Sequence, residues 1–186
     1  MYAAILETPR LILKGLSPAT FTYIFEHFDK EKIKEILGHQ TEEDFLTEEK
    51  KQQNGYASYN RTFILFLLTE KESEKVIGRC GIHNWNVEHR RAEIGYQMTD
   101  EAFKNKGYMT EAVKAIIAYG FDKLNLNRLE ALVGSTNVPS LRLMEKFSFV
   151  QEGLLRQHTP MGDTFDDSVV FSRLQEEYSR DTGKMK

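Results

Sequence analysis

The residues best placed to do chemistry form one short run, Lys104-Asn105-Lys106-Gly107-Tyr108-Met109-Thr110-Glu111-Ala112. The run follows an apolar stretch of strand character. It opens a stripe of Met109, Ala112, Val113, Ile116, Ile117 and Gly120 at helical spacing, so it heads an amphipathic helix. Such a start gathers backbone N–H groups that lack intrahelical acceptors and the positive end of the helix dipole, which together suit a pyrophosphate. Gly107 admits a ligand close to the backbone, and Lys104 and Lys106 add positive charge. The second glycine and the Gly-Lys-Ser/Thr ending of a Walker loop are missing, and GxGxxG is absent. Taken alone, the run also reads as a plain glycine-containing helix start.

A second segment follows about thirty residues on: Asn137-Val138-Pro139-Ser140-Leu141-Arg142-Leu143-Met144-Glu145-Lys146-Phe147-Ser148-Phe149, then Glu152-Gly153. Asn137 comes directly after a strand pattern and Ser140 opens a short helix, so two polar side chains project from the end of a sheet. The pair of segments resembles the GNAT acetyltransferase superfamily, whose Q/R-x-x-G-x-G/A binds the CoA pyrophosphate. In that family N-x-x-S-x-x-x-x-E-K-x-G-F lines the pantetheine arm and thiol. The opening Thr-Pro-Arg-Leu-Ile-Leu-Lys and the strand Ala-Glu-Ile-Gly-Tyr resemble the branch of ribosomal-protein N-terminal acetyltransferases. Lys104 stands where the family has Gln or Arg, Met109 where it has Gly or Ala, and Ser148 where it has Gly.

The resemblance runs from about Thr8 to Phe171 and implies a GNAT-like α/β (α+β) domain over residues 8–173, with a tail over 174–186. The expected sheet is mixed, mostly antiparallel and twisted, splayed at its middle and flanked by helices. The implied reaction moves acetyl from acetyl-CoA to an amine, either a protein N-terminal α-amino group or a small-molecule amine, without a metal. The alternative is a silent CoA-binding module. Cofactor-binding positions carried over are Met98, Thr99, Lys104, Asn105, Lys106, Gly107, Tyr108, Met109, Thr110, Asn137, Ser140 and Lys146.

Amine acetylation needs a neutral nucleophile, hence a base, and a donor for the departing thiolate. Glu93 matches the catalytic glutamate of some histone-type members; it reads equally as a paired strand glutamate. Ser140 is the implied thiolate-side donor, with helix capping as its other reading, and Asn137 is either a pantetheine contact or a turn residue. Gly95 resembles a bulge position, or else permits close packing. Trp85 and Tyr96 either line an acceptor pocket or pack across strands, and Tyr108 reads as a packing residue. Cys80 reads as a small core residue, and the histidines show no metal-ligand spacing.

The elements that must position these groups follow from periodicity. Pro9 to Ser17 reads as one strand, Ser17-Pro18 as a cap and first turn, Lys30 to Leu37 as a helix closed by Gly38, and Thr41 to Asn54 as a boxed helix. Three strands follow (from Arg61, Val76–Trp85, Arg91–Thr99), then helix 107–123, strand 128–134, helix 139–147 and strands 149–156 and 165–173. Residues 181–186 read as a frayed tail. The 186 residues are 40% hydrophobic, enough for a core in one domain without disulfides. Twenty-five basic against 28 acidic residues, with no basic block, argue against a nucleic-acid partner. Acids outnumber lysines from Glu26 to Lys50, as on solvated helical faces or, alternatively, as an electrostatic guide for cationic substrates. One cysteine and an opening without a long apolar stretch suggest a cytoplasmic chain off the membrane. A homodimer stays open.

Overall fold

The computed structural model describes residues 2–56 and 61–183. Its elements are β1 (Ala4–Glu7), β2 (Leu11–Leu16), α1 (Pro18–His27), α2 (Lys30–Leu37), α3 (Glu42–Asn54), β3 (Thr62–Glu70), β4 (Val76–Asn86), β5 (Arg91–Met98), a 3-10 turn at Glu101–Phe103, α4 (Tyr108–Asp122), β6 (Arg128–Gly134), α5 (Val138–Lys146), β7 (Val150–Met161), β8 (Thr164–Leu174) and α6 (Gln175–Thr182). The strands hydrogen-bond in the order β1-β2-β3-β4-β5-β6-β8-β7. The β5–β6 pair is parallel, while β1–β2, β2–β3, β6–β8 and β7–β8 are antiparallel. This is the mixed, mostly antiparallel α/β sheet that the resemblance implies. The chain divides into two compact units, one holding residues up to Asn84 with Gly95–Ile116, the other Trp85–Ile94 with Ile117 onward.

In the first unit each early helix starts where a side chain can take a free N–H. Ser17 accepts from Thr20 N–H ahead of Pro18, Asp29 caps α2, and Thr41 with Asp44 forms a reciprocal box on α3. Gly38 closes α2 at φ +68, a left-handed backbone that glycine adopts without strain. These helices bury Phe21, Ile24, Ile33, Leu37 and Phe45 with Leu16 of β2 and Leu67 of β3 in one cluster. The opening strand expected over 9–17 is β2, and a further strand, β1, precedes it. Pro9 has no N–H for a ladder, and the chain turns there, Thr8 N–H bonding Leu11 C=O at 3.0 Å.

In the second unit β6 lies between β5 and β8, and α6 takes up most of the tail expected over 174–186, reaching 181 and 182 of the end expected to fray. Tyr178 of α6 is buried, stacks on Phe121 at 4.8 Å and donates to Asp122 at 3.0 Å, enough local anchoring to order the helix. Gly183 ends α6 at φ +67, and residues 184–186 lie outside the described residues.

Candidate functional site

The first intrahelical bond of α4 runs from Glu111 N–H to Gly107 C=O at 3.1 Å, so the helix offers no acceptor to the N–H groups of Tyr108, Met109 and Thr110. Gly107 sits at φ +81, a region closed to most side chains, and Asn105 two residues earlier is left-handed at φ +58. Residues 104–107 are exposed. The β1–β2 turn holds this loop in shape. Arg10 Nε donates to Glu111 Oε2 at 2.8 Å, Arg10 Nη1 donates to Lys106 C=O at 3.0 Å, and the guanidinium carbon lies 4.1 Å above the Tyr108 ring. Thr8 and the Arg10 N–H bond the other Glu111 oxygen. Glu111 is thus tied to the scaffold rather than aimed at the ligand side, and Tyr108 is the packing residue its position suggests. Lys104 pairs with Glu101, leaving its backbone on the loop and its charge partly spent.

A polar cleft borders this loop in the same unit, lined by Met98, Thr99, Glu101 and Lys104 and also by Gln97, Arg79, Lys51, Glu48, Glu43 and Asp44. The Thr99 hydroxyl in it is buried without a hydrogen-bond partner among the described residues. Gln97, Arg79, Lys51 and Glu48 also wall a second cavity, of about 440 Å³, whose other sides include Phe21, Tyr56, Phe63, Ile82, His83 and Tyr96. Cleft and cavity therefore adjoin. Tyr96 joins the cavity as a sequence candidate, whereas Trp85 belongs to the other unit. Gly95 serves close packing: a Cβ there would lie 2.8 Å from the His83 ring.

Glu48 is the residue that spacing alone did not single out. It is 4% exposed, accepts from the Tyr56 hydroxyl at 2.9 Å and from Arg79 Nη1 at 3.3 Å, and lies 3.5 Å from Lys51 Nζ. Burial first, then the Glu48 charge, pushes the Tyr56 phenol far above its ordinary range, so Tyr56 stays a donor. The available signal was position, since Glu48 falls three residues after the core Phe45 on the inner stripe of α3.

In the second unit the turn after β6 is pinned by Asp166, which accepts from the hydroxyls of Ser135 at 2.8 Å and Thr136 at 3.2 Å. Asn137, not Ser140, caps α5: its side-chain oxygen accepts from Ser140 N–H at 3.2 Å. The capping alternative for Ser140 is thereby corrected. Ser140 stands three residues inside, half-buried, and the Asn137 amide NH₂ remains available as a donor. Lys146 is exposed at the far end of α5, about 9 Å along the axis from Ser140, so the structure does not bring the two together. Ser148 occupies a left-handed position at φ +55 in a Schellman closure, with Ser148 N–H on Glu145 C=O and Phe149 N–H on Met144 C=O, both 3.0 Å. The family's glycine fits this backbone unstrained. Ser148→Gly should therefore raise stability by about 0.5–1 kcal/mol, read as a higher denaturation midpoint with unchanged turnover.

Glu93 lies on β5 in register with Glu130 of β6 and shares its strand face with Arg91. Glu130 accepts from Arg128 at 2.7 Å and sits 3.5 Å from Arg91, while Arg128 also holds Glu152. That hydrogen bond from Arg128, helped by Ser172, draws Glu152 down to about 2. Cys80 is fully buried, which pushes its thiol up and makes it a core residue rather than a nucleophile. Among the described residues no group of His, Cys, Asp and Glu is arranged to hold a metal, and no helix is long and apolar enough to cross a membrane.

The Gly107 helix start and the Asn137-x-x-Ser140 helix start are the two features on which the resemblance to acetyltransferases rests. The model of the "Acetyltransferase (GNAT) domain" family matches residues 10–150, and the chain belongs to that family. It is 33% identical over 169 residues to "Uncharacterized N-acetyltransferase YoaA" of Bacillus subtilis, covering 90% of this chain and 95% of that protein. It is 43% identical over 114 residues to "Uncharacterized N-acetyltransferase p20" of Bacillus licheniformis, a match spanning 61% of this chain and 64% of p20. A GNAT acetyltransferase structure from Bacillus anthracis superimposes with a TM-score of 0.65 at 25% identity, covering 94% of this chain and all of that one.

Proposed function

We propose that the protein transfers the acetyl group of acetyl-CoA directly to an amine in the cytoplasm. The observation that carries the proposal is the start of α4, where Gly107 at φ +81 is followed by three N–H groups without intrahelical acceptors in an exposed loop. The pyrophosphate takes those amides, Lys106 and the loop backbone supplement them, and the adjoining cleft past Thr99 and Met98 accepts the arm. Glu93 is the proposed base that takes the amine's proton, the nitrogen attacks the thioester carbonyl, and the C–S bond breaks to release CoA thiolate. Ser140 donates to that sulfur and Asn137 to the pantetheine amides. The test is melting with acetyl-CoA. At one hundred times Kd, stabilisation of about 2.7 kcal/mol raises Tm by roughly 5–10 °C for a domain of this size, and no shift at millimolar ligand would refute the proposal.

The corrected cap sharpens the assignments in α5. Asn137→Ala should lower stability by about 1 kcal/mol and also weaken acetyl-CoA binding. Ser140→Ala removes no cap, so its melting temperature should stay put while turnover falls roughly tenfold or more at unchanged acetyl-CoA KM. Melting curves and initial rates on the two variants decide this. Full turnover in Ser140→Ala would take the thiolate role from that residue.

A further inference from the structure

The cavity beside the cleft carries a charge arrangement that acetyl-CoA binding does not require. Its walls are apolar and aromatic: Phe21, Tyr56 and Phe63 form a ring cluster with centroids 4.8–5.9 Å apart, backed by Leu65 and Ile82. Its volume of about 440 Å³ lies in the range of small-molecule sites. At one end stand Glu48, Lys51 and Arg79. A bare buried carboxylate there would attract a substrate ammonium, but Glu48 already has both oxygens in use, one toward Tyr56 and one toward Arg79 and Lys51. Two cations therefore face one carboxylate. Among the described residues Arg79 makes long bonds, 3.3 Å to Glu48 and 3.4 Å to Leu37 C=O, and Lys51, 57% exposed, has a 3.5 Å contact with Glu48. Among the described residues that line the cavity itself, Lys51 and Arg79 against Glu48 leave one positive charge, with Glu43 and Asp44 lying on the cleft side of the same two cations; a cation pair at the end of an apolar cavity favours an anionic group on the ligand over a second ammonium.

We infer that the acceptor is a small amine with an apolar body and a carboxylate, an amino-acid-like molecule, which seats its apolar part among Phe21, Tyr56 and Phe63 and its carboxylate against Lys51 and Arg79. The inference rests on the acetyl-transfer reading and narrows its acceptor. A guanidinium and an ammonium pair with a carboxylate more strongly than with any neutral group, so the carboxylate fixes which way the amine points.

The test compares L-phenylalanine, phenethylamine (the same body without the carboxylate), a phenylalanine-initiated peptide amide and spermidine. Rates are taken per free-amine concentration, and the acetyl-CoA melting shift is measured on the same preparation. L-Phenylalanine should exceed each of the other three in kcat/KM by roughly tenfold or more. Lys51→Gln, an exposed change that leaves the Glu48–Tyr56–Arg79 contacts in place, should collapse the phenylalanine-to-phenethylamine ratio toward one. Equal use of phenethylamine, the peptide amide or spermidine overturns the inference, as does an unchanged ratio in Lys51→Gln. A normal acetyl-CoA shift with no turnover of any amine also overturns it. A missing shift refutes the underlying transfer reading instead.

Discussion

Gly107→Val is expected to abolish acetyl-CoA binding, raising the apparent Kd by about a hundredfold or more. Two effects combine. At φ +81 a β-branched residue is strained by about 1–2 kcal/mol, so the backbone rotates and the amides of Tyr108, Met109 and Thr110 lose their common direction. The added side chain also fills the approach that a pyrophosphate needs, where a Cβ would already sit 3.5 Å from Arg10 Nη2. The apo variant should still fold, with a melting temperature lowered by a few degrees, because that strain is small beside the stability of a domain. Its melting temperature should then no longer respond to acetyl-CoA. Calorimetric titration gives the Kd and circular dichroism the fold. Wild-type affinity in a folded Gly107→Val protein would remove α4 from the binding site.

The second large effect belongs to Glu93. A positioned base contributes about 10²–10⁴ in rate, so Glu93→Gln should lower kcat by on the order of a hundredfold while leaving the acetyl-CoA KM within about twofold. The sign with pH follows from the chemistry. A carboxylate base works only when deprotonated, so wild-type turnover falls as acid protonates it. The glutamine variant lacks that dependence, and its residual rate climbs with pH as more of the amine becomes neutral in solution. Pre-steady-state and pH–rate measurements separate the cases. Unchanged kcat would return Glu93 to the ionic face it shares with Arg91, alongside Glu130 and Arg128.

What the sequence made legible was whatever depends on local pattern. The caps at Ser17 and Thr41, the left-handed stop at Gly38 and the stripe of α4 are each set by a few neighbouring residues, and the structure has them where spacing puts them. The loop at Gly107 was legible for the same reason: its chemistry lies in backbone geometry that one glycine and one helix start determine. Misplacements came where a distant partner decides. Asn137 rather than Ser140 caps α5 because the turn is pinned by Asp166 on β8, nearly thirty residues away. The final helix forms because Tyr178 reaches Phe121 and Asp122 of α4. Glu48 carries no local signal because its partners are Tyr56 and Arg79, and no periodicity links a helix glutamate to a strand arginine.

The account stands on acetyl transfer, and one experiment reads it directly. Purified protein is incubated with acetyl-CoA and an amine acceptor, released thiol is followed colorimetrically, and the acceptor is weighed by mass spectrometry. Acetyl transfer requires thiol release that depends on the amine, with one N-acetylated product for each CoA set free. Acetyl-CoA that binds and raises the melting temperature, yet yields neither free thiol nor acetylated amine across primary amines, amino acids and peptide N-termini, would contradict it and leave a CoA-binding module.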